Sequence, residues 1–103
     1  AQAVHYCVEL LEQETGQSID VMSLAYNRLM NHVRYMIARA IQGEKLKLNM
    51  NDYMSIKFPR RYALAEQICR EIEKTLHKTI EEVEIGYLAM HLERIASEEL
   101  EEG

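Results

Sequence analysis

Two histidines occupy the edge of an apolar helical stripe, where a side chain is neither fully buried nor fully exposed. His91 lies in EIGYLAMHLERI (84–95), about 100° around the helix from the centre of the stripe near Leu92. His32 lies about 80° from the centre of the stripe in residues 21–42. These positions predict side chains that pack against neighbours and still reach solvent.

Arginines on the same helix suggest what His32 could do. Arg28 precedes it by one helical turn, and Arg39 falls in the same sector two turns later. A neutral imidazole nitrogen is a nucleophile near physiological pH and can accept a phosphoryl group. The phosphoryl group adds about two negative charges, which arginines bind through charge-assisted hydrogen bonds. The alternative is that both histidines are structural and only partly buried. His5 and His77 stand among polar residues and are predicted to lie on the surface.

Other kinds of reactive site lack their motifs. HExxH, HxxxH and ExxH are absent, and Glu73 with His77 is a single pair that predicts a surface ion pair. The sequence has no nucleophile elbow and no glycine-rich phosphate loop. We therefore predict no catalytic residues, no metal and no cofactor, and a protein that is not an enzyme.

The apolar spacing predicts an all-α fold, a compact bundle of four main helices plus a short helix. The predicted segments are 4–16, 21–42, 51–58, 60–78 and 79–96. Ser18 or Asp20 is the expected cap of the second helix, and Gly43 its end. Pro59 suits a first helical turn, and Thr79 with Glu82 has capping-box spacing.

Charge is uneven along the 103 residues, whose net charge is −5. Residues 28–61 carry +6, whereas 1–27 carry −4 and 62–103 carry −7. The basic middle indicates either a solvated face or a local site for an anion, and overall acidity argues against nonspecific nucleic-acid binding.

Two cysteines suggest buried or idle thiols in a reducing compartment. No run of 18 apolar residues predicts a membrane span.

Two stretches resemble a known family. YNRLMNHVRYMIARAI (26–41) resembles the first histidine helix of a PTS regulation domain (PRD), and GYLAMHLERI (86–95) resembles its second histidine segment. The intervening residues follow the family's spacing, and the likeness covers about 18–96. These domains occur in bacterial antiterminators of the BglG and SacY type and in related activators. The pattern RLxxHVxY (28–35) is closer to the second PRD copy.

The resemblance implies a cytoplasmic, sugar-responsive regulator of transcription. It implies a homodimer phosphorylated on His32 and His91 by the phosphocarrier HPr, a sugar-specific enzyme II, or both. Phosphorylation would shift dimerisation and gate an RNA- or DNA-binding domain outside this chain. We interpret 1–103 as one helical domain cut from a longer protein, with a core at 4–96 and a polar tail at 97–103. The sugar, the preferred histidine and the direction of regulation stay open.

Two alternatives remain at this stage. One is a helical homodimerisation module with structural histidines and no phosphorylation. The other is nucleic-acid binding by the basic middle itself, which predicts strongly salt-dependent affinity. The loop GEKLKLN lacks the aromatic residues that stack on single-stranded bases, so this alternative is the weaker one.

Overall fold

Five helices form the fold in the computed structural model, which describes the backbone of residues 2–102 and the side chains of residues 5–97. They are α1 (Gln2–Thr15), α2 (Leu24–Gln42), α3 (Asn51–Lys57), α4 (Pro59–Leu76) and α5 (Val83–Glu102). The described residues contain no strand. The predicted all-α bundle of four main helices and a short one is confirmed. Helix α5 packs against all four others, so it organises the bundle.

Helix α2 begins later than the sequence predicted. Its cap is Ser23, whose hydroxyl oxygen accepts a hydrogen bond from the Tyr26 N–H at 3.1 Å. Asp20 instead stabilises the preceding turn, because its carboxylate accepts from the Met22 N–H at 2.9 Å. The predicted start at residue 21 was therefore wrong, and Met22 is 83% exposed. Gly43 ends the helix in the left-handed region (φ 74°), as expected.

Helix α5 also begins later than predicted, at Val83. The capping box expected from Thr79 does not start it. The side chain of Asn51 in α3 caps the helix instead. Its Oδ1 accepts a hydrogen bond from the Gly86 N–H at 2.9 Å, and its Nδ2 donates to the Glu82 carbonyl at 2.7 Å. A cap supplied by a residue 35 positions away cannot be found from local spacing.

Helix α4 begins at Pro59, one residue before the predicted segment and with the proline in the first turn as predicted, and ends at Leu76 rather than at residue 78. His77 ends it with φ 55°, a left-handed conformation that most side chains avoid. The Glu73 carboxylate then accepts from the Ile80 N–H at 2.7 Å and from Arg70 at 3.1 Å. The Glu73 carboxylate therefore bonds to Arg70 and to the Ile80 backbone, and the ion pair predicted between Glu73 and His77 is not among the ion pairs of the described side chains.

The core is one apolar cluster contributed by α1, α2, α4 and α5, with Met54 from α3 and Ile19 and Ile80 from the connecting segments. The apolar stripe of α5 is wholly buried, as the sequence predicted for Ile85, Leu88, Ala89, Leu92 and Ile95. Cys7 and Cys69 are buried free thiols, and burial raises the pKa of each to about 12. The radius of gyration, 12.8 Å, matches the roughly 13 Å of a compact domain this long. Helix α5 continues through most of the predicted polar tail to Glu102, past the predicted end at residue 96.

Candidate functional site

The packing of α2 against α5 brings the two histidines together. The rings of His32 and His91 stack with their centroids 4.5 Å apart and their planes 24° from parallel. Tyr87, one turn before His91 on α5, contacts both rings edge-on at 4.5 and 4.9 Å. Residues distant in sequence thus form one aromatic cluster, which we call the histidine cluster: His32, His91 and Tyr87.

Burial differs between the two imidazoles. His32 is 5% exposed and His91 is half-buried. The positions between core and solvent predicted from the sequence therefore describe His91 well, whereas His32 lies deeper than expected. The cause is α5, which covers the side of α2 that carries His32. His5 and His77 are exposed, as predicted.

Three of the four imidazole nitrogens of the cluster are buried without a hydrogen-bond partner. His32 Nε2 and both ring nitrogens of His91 are buried and unpaired. Leaving a buried polar atom unpaired costs about 1–3 kcal/mol, so such atoms are uncommon in proteins and call for an explanation. A reactive or ligand-binding role provides one here.

Burial and neighbouring charges keep both histidines neutral. Burial lowers the pKa of His32 to about 3, with smaller contributions from His91 and Arg39. The pKa of His91 falls to about 4, first through burial and then through the positive charges of Arg94 and Arg28. At pH 7 each ring therefore has an unprotonated nitrogen whose lone pair is available.

Arg39, one of the predicted phosphate neighbours, is engaged with a carboxylate. Its Nε and Nη2 donate to the two carboxylate oxygens of Glu84 at 2.6 and 2.7 Å. Glu84 is 2% exposed. The pair joins α2 to α5 near the histidine cluster, and it compensates much of the Arg39 charge. The main effect of this ion pair is to hold α2 and α5 in register.

A cleft of about 370 Å³ opens from the histidine cluster to solvent. Arg28 and Arg39, both predicted, line it, and so does Arg94, which sequence reasoning missed. Its spacing of three residues after His91 was the available signal, since residues three apart share a helix face. Asn31, Tyr35 and Leu46 complete the wall. Arg60 and Arg61 line a different cleft with Glu93, to which Arg61 is paired at 3.3 Å.

Two further features bear on the kind of site. Within the described residues, no three histidine, cysteine or carboxylate side chains are close enough together to hold a metal ion. In the same part of the chain, no helix has the length and apolarity to cross a membrane.

The chain matches the model of the PRD domain family over residues 4–95. It is similar to the protein GlcT of Staphylococcus epidermidis, with 29% identity over 91 residues, 86% of this chain and 32% of that protein. The GlcA/glcB genes antiterminator of Staphylococcus carnosus is 24% identical over 93 residues, 88% of this chain and 32% of its own length. The PtsGHI operon antiterminator of Bacillus subtilis is 28% identical over 99 residues, 94% of this chain and 35% of its own length.

The chain thus spans about a third of the length of these curated relatives. The family match includes both histidines of the cluster and nearly the whole chain. The resemblance found in the two histidine segments is confirmed, and the chain belongs to the PRD domain family.

Proposed function

We propose that this chain is the regulatory domain of a transcriptional antiterminator and that it accepts phosphoryl groups on His32 and His91. The observation that carries the proposal is the stacked pair of neutral imidazoles with unpaired nitrogens beside a cleft lined by arginines. Relatives in two genera are named antiterminators, which supports the transcriptional role.

The chemical step needs only a phosphorylated carrier protein. An imidazole lone pair attacks the phosphorus on the donor's phosphorylated side chain, and the bond between phosphorus and that side chain breaks as the new phosphorus–nitrogen bond forms. The donor side chain leaves and takes up the proton that the acceptor ring gives up. The donor is HPr, a sugar-specific enzyme II, or both. His91 is the more exposed residue of the two, but its ring nitrogens are as buried as His32 Nε2, so exposure does not decide which acceptor reacts first. The domain passes no product onward and is not an enzyme.

A new dianion in this cleft would act on packing between copies of the domain. Tyr35 lines the cleft and is 65% exposed, an apolar surface suited to a homodimer contact. Phosphorylation beside it changes the local charge by about two units. The shift in dimerisation then gates an RNA- or DNA-binding domain outside this chain, in the cytoplasm. The RLxxHVxY pattern at 28–35 is closer to a second PRD copy than to a first one.

The test is phosphorylation of this chain by phosphoenolpyruvate, enzyme I and HPr, with and without enzyme II, followed by intact mass. We expect one or two acid-labile phosphoryl groups, lost in the His32→Ala/His91→Ala double variant. The matched control is His5→Ala/His77→Ala, which changes two exposed histidines outside the cleft. Labelling that survives loss of both cluster histidines, or that disappears in the control, would contradict the assignment.

The burial and stacking of His32 also favour the plainer alternative of a homodimerisation module with structural histidines. That function predicts a stable dimer and no mass increase with any phosphodonor. It further predicts that replacing either ring lowers stability, whereas the phosphorylation proposal is indifferent to stability as long as the nitrogen is retained.

A further inference from the structure

The cleft has the parts of an anion site even before any covalent bond forms. His32 is 95% buried and has an unpaired Nε2, and it lines the cleft together with His91, which has two unpaired nitrogens. Each neutral ring has one N–H to donate. These nitrogens have almost no accessible surface, so they reach a ligand in the cleft only when a ring turns.

The charges around the cleft favour a dianion. Arg94 on α5 and Arg28 on α2 both line it, and both lower the pKa of His91 through their positive charge. Arg94 makes no ion pair among the described side chains, in contrast to Arg39. Glu84 is bonded through both carboxylate oxygens to Arg39, which lines the cleft, so its repulsion of an anion is largely compensated.

We propose that this cleft binds a phosphate-class dianion noncovalently, either free phosphate or a small phosphate monoester, held by Arg94, and that the imidazoles of His32 and His91 turn a nitrogen towards the bound dianion. The volume of about 370 Å³ lies within the range of small-molecule sites and exceeds what a phosphate ion needs. Tyr35, Tyr87 and Leu46 form walls against which the organic part of an ester packs. This inference goes beyond the proposed function, because it requires neither a phosphodonor nor a covalent bond. A bound dianion would occupy the space that the transferred phosphoryl group needs, and so would slow modification of the histidines.

The test uses the ¹⁵N-labelled chain and follows the imidazole nitrogens of its 4 histidines during titration. The probes are inorganic phosphate and a hexose 6-phosphate, each replacing chloride at constant ionic strength. We expect saturable shifts at His32 and His91, while His5 and His77, which are exposed and outside the cleft, do not saturate. Saturation by phosphate alone identifies an ion site, whereas tighter binding of the ester identifies a metabolite site. Both results support the proposal, and the absence of saturation with either probe overturns it.

A matched pair of variants locates the site. Arg94→Gln removes a charge that lines the cleft, and Arg34→Gln removes an exposed charge on α2 that does not. Loss of one charge-assisted hydrogen bond corresponds to about a tenfold weaker affinity, which we expect for Arg94→Gln only. Equal weakening in both variants would mean nonspecific attraction and would overturn the proposal. No phosphodonor is present, so failure here leaves covalent labelling untouched, and failure of labelling leaves this result untouched.

Discussion

His32 and His91 are held in the neutral form by their surroundings before any donor arrives. Burial provides the largest contribution to the lowered pKa of each. A charged histidine would lose nucleophilicity and would repel Arg94 and Arg28 across the cleft. The same burial leaves imidazole nitrogens without hydrogen-bond partners, which lowers the stability of the folded domain.

The lowered pKa values predict how stability depends on pH. An unfolded histidine titrates near pH 6.5. Folded His32 and His91 titrate near pH 3 and 4, so the unfolded chain binds more protons as the pH falls below 6.5. The free energy of unfolding therefore decreases on acidification. Between pH 7 and 5.5 we expect a loss of about 1–2 kcal/mol, allowing for the partial exposure of His91.

Urea unfolding at the two pH values measures this loss, with the His32→Gln/His91→Gln variant as the control. Carboxylates ordinarily titrate below this pH interval. The free energy of unfolding of the variant is therefore expected to depend much less on pH than that of the parent. An unchanged slope in the variant would mean that other groups cause the pH dependence.

Among the elements, α3 has an importance that its seven residues do not suggest. Its first residue, Asn51, satisfies the N-terminal turn of α5, the helix that carries His91. Gly86 makes this approach possible, because a Cβ there would lie 2.7 and 2.8 Å from the backbone N and Cα of Asn51. The orientation of α5, and with it the histidine cluster, depends on a contact between Asn51 and Gly86, two residues of low helix propensity.

Gly86→Ala is therefore expected to destabilise the domain, although alanine favours a helix over glycine by about 1 kcal/mol. The clash is with backbone, which cannot rotate away, and overpacking of this kind costs about 1–3 kcal/mol. Urea unfolding gives the difference. Gln67→Ala, at an exposed position of α4, is the control and is expected to change stability by less than about 0.5 kcal/mol. A Gly86→Ala variant as stable as the parent would show that α3 can move aside.

At the scale of the whole molecule, the bundle is held together around the seam between α2 and α5. The aromatic cluster occupies this seam, and the ion pair of Arg39 with Glu84 crosses it. Side-chain exposures of 18% and 3% place the pair at the boundary between core and solvent. A change of charge in the neighbouring cleft thus acts directly on the junction of the two histidine helices.

Removing one partner of this pair is expected to destabilise the fold by about 3 kcal/mol, because the other charge is left unpaired in a buried position. Arg39→Met leaves the Glu84 carboxylate unpaired, whereas the Arg39→Met/Glu84→Met double variant leaves no charge behind. We expect the double variant to recover most of the lost stability. Thermal and urea unfolding of the parent, the two single variants and the double variant complete the cycle, and strictly additive losses would contradict the coupling.

The sequence by itself determined the features that depend on neighbours along the chain. Apolar residues at helical spacing identified the buried face of α5, and Gly43 and Pro59 marked helix ends correctly. The same periodicity placed His32 and His91 beside their apolar stripes. These features were predictable because backbone hydrogen bonding and side-chain direction within a helix involve residues at most one turn apart.

Only the tertiary structure decided which of these residues meet. It stacked His32 on His91, capped α5 with Asn51 instead of Thr79, bonded Arg39 to Glu84, and placed Arg94 at the cleft. Each of these contacts except the last joins residues on different elements. Which residues meet depends on how the helices are rotated and shifted against one another in the packed core. Burial of the whole apolar surface determines that arrangement, and no local sequence pattern does.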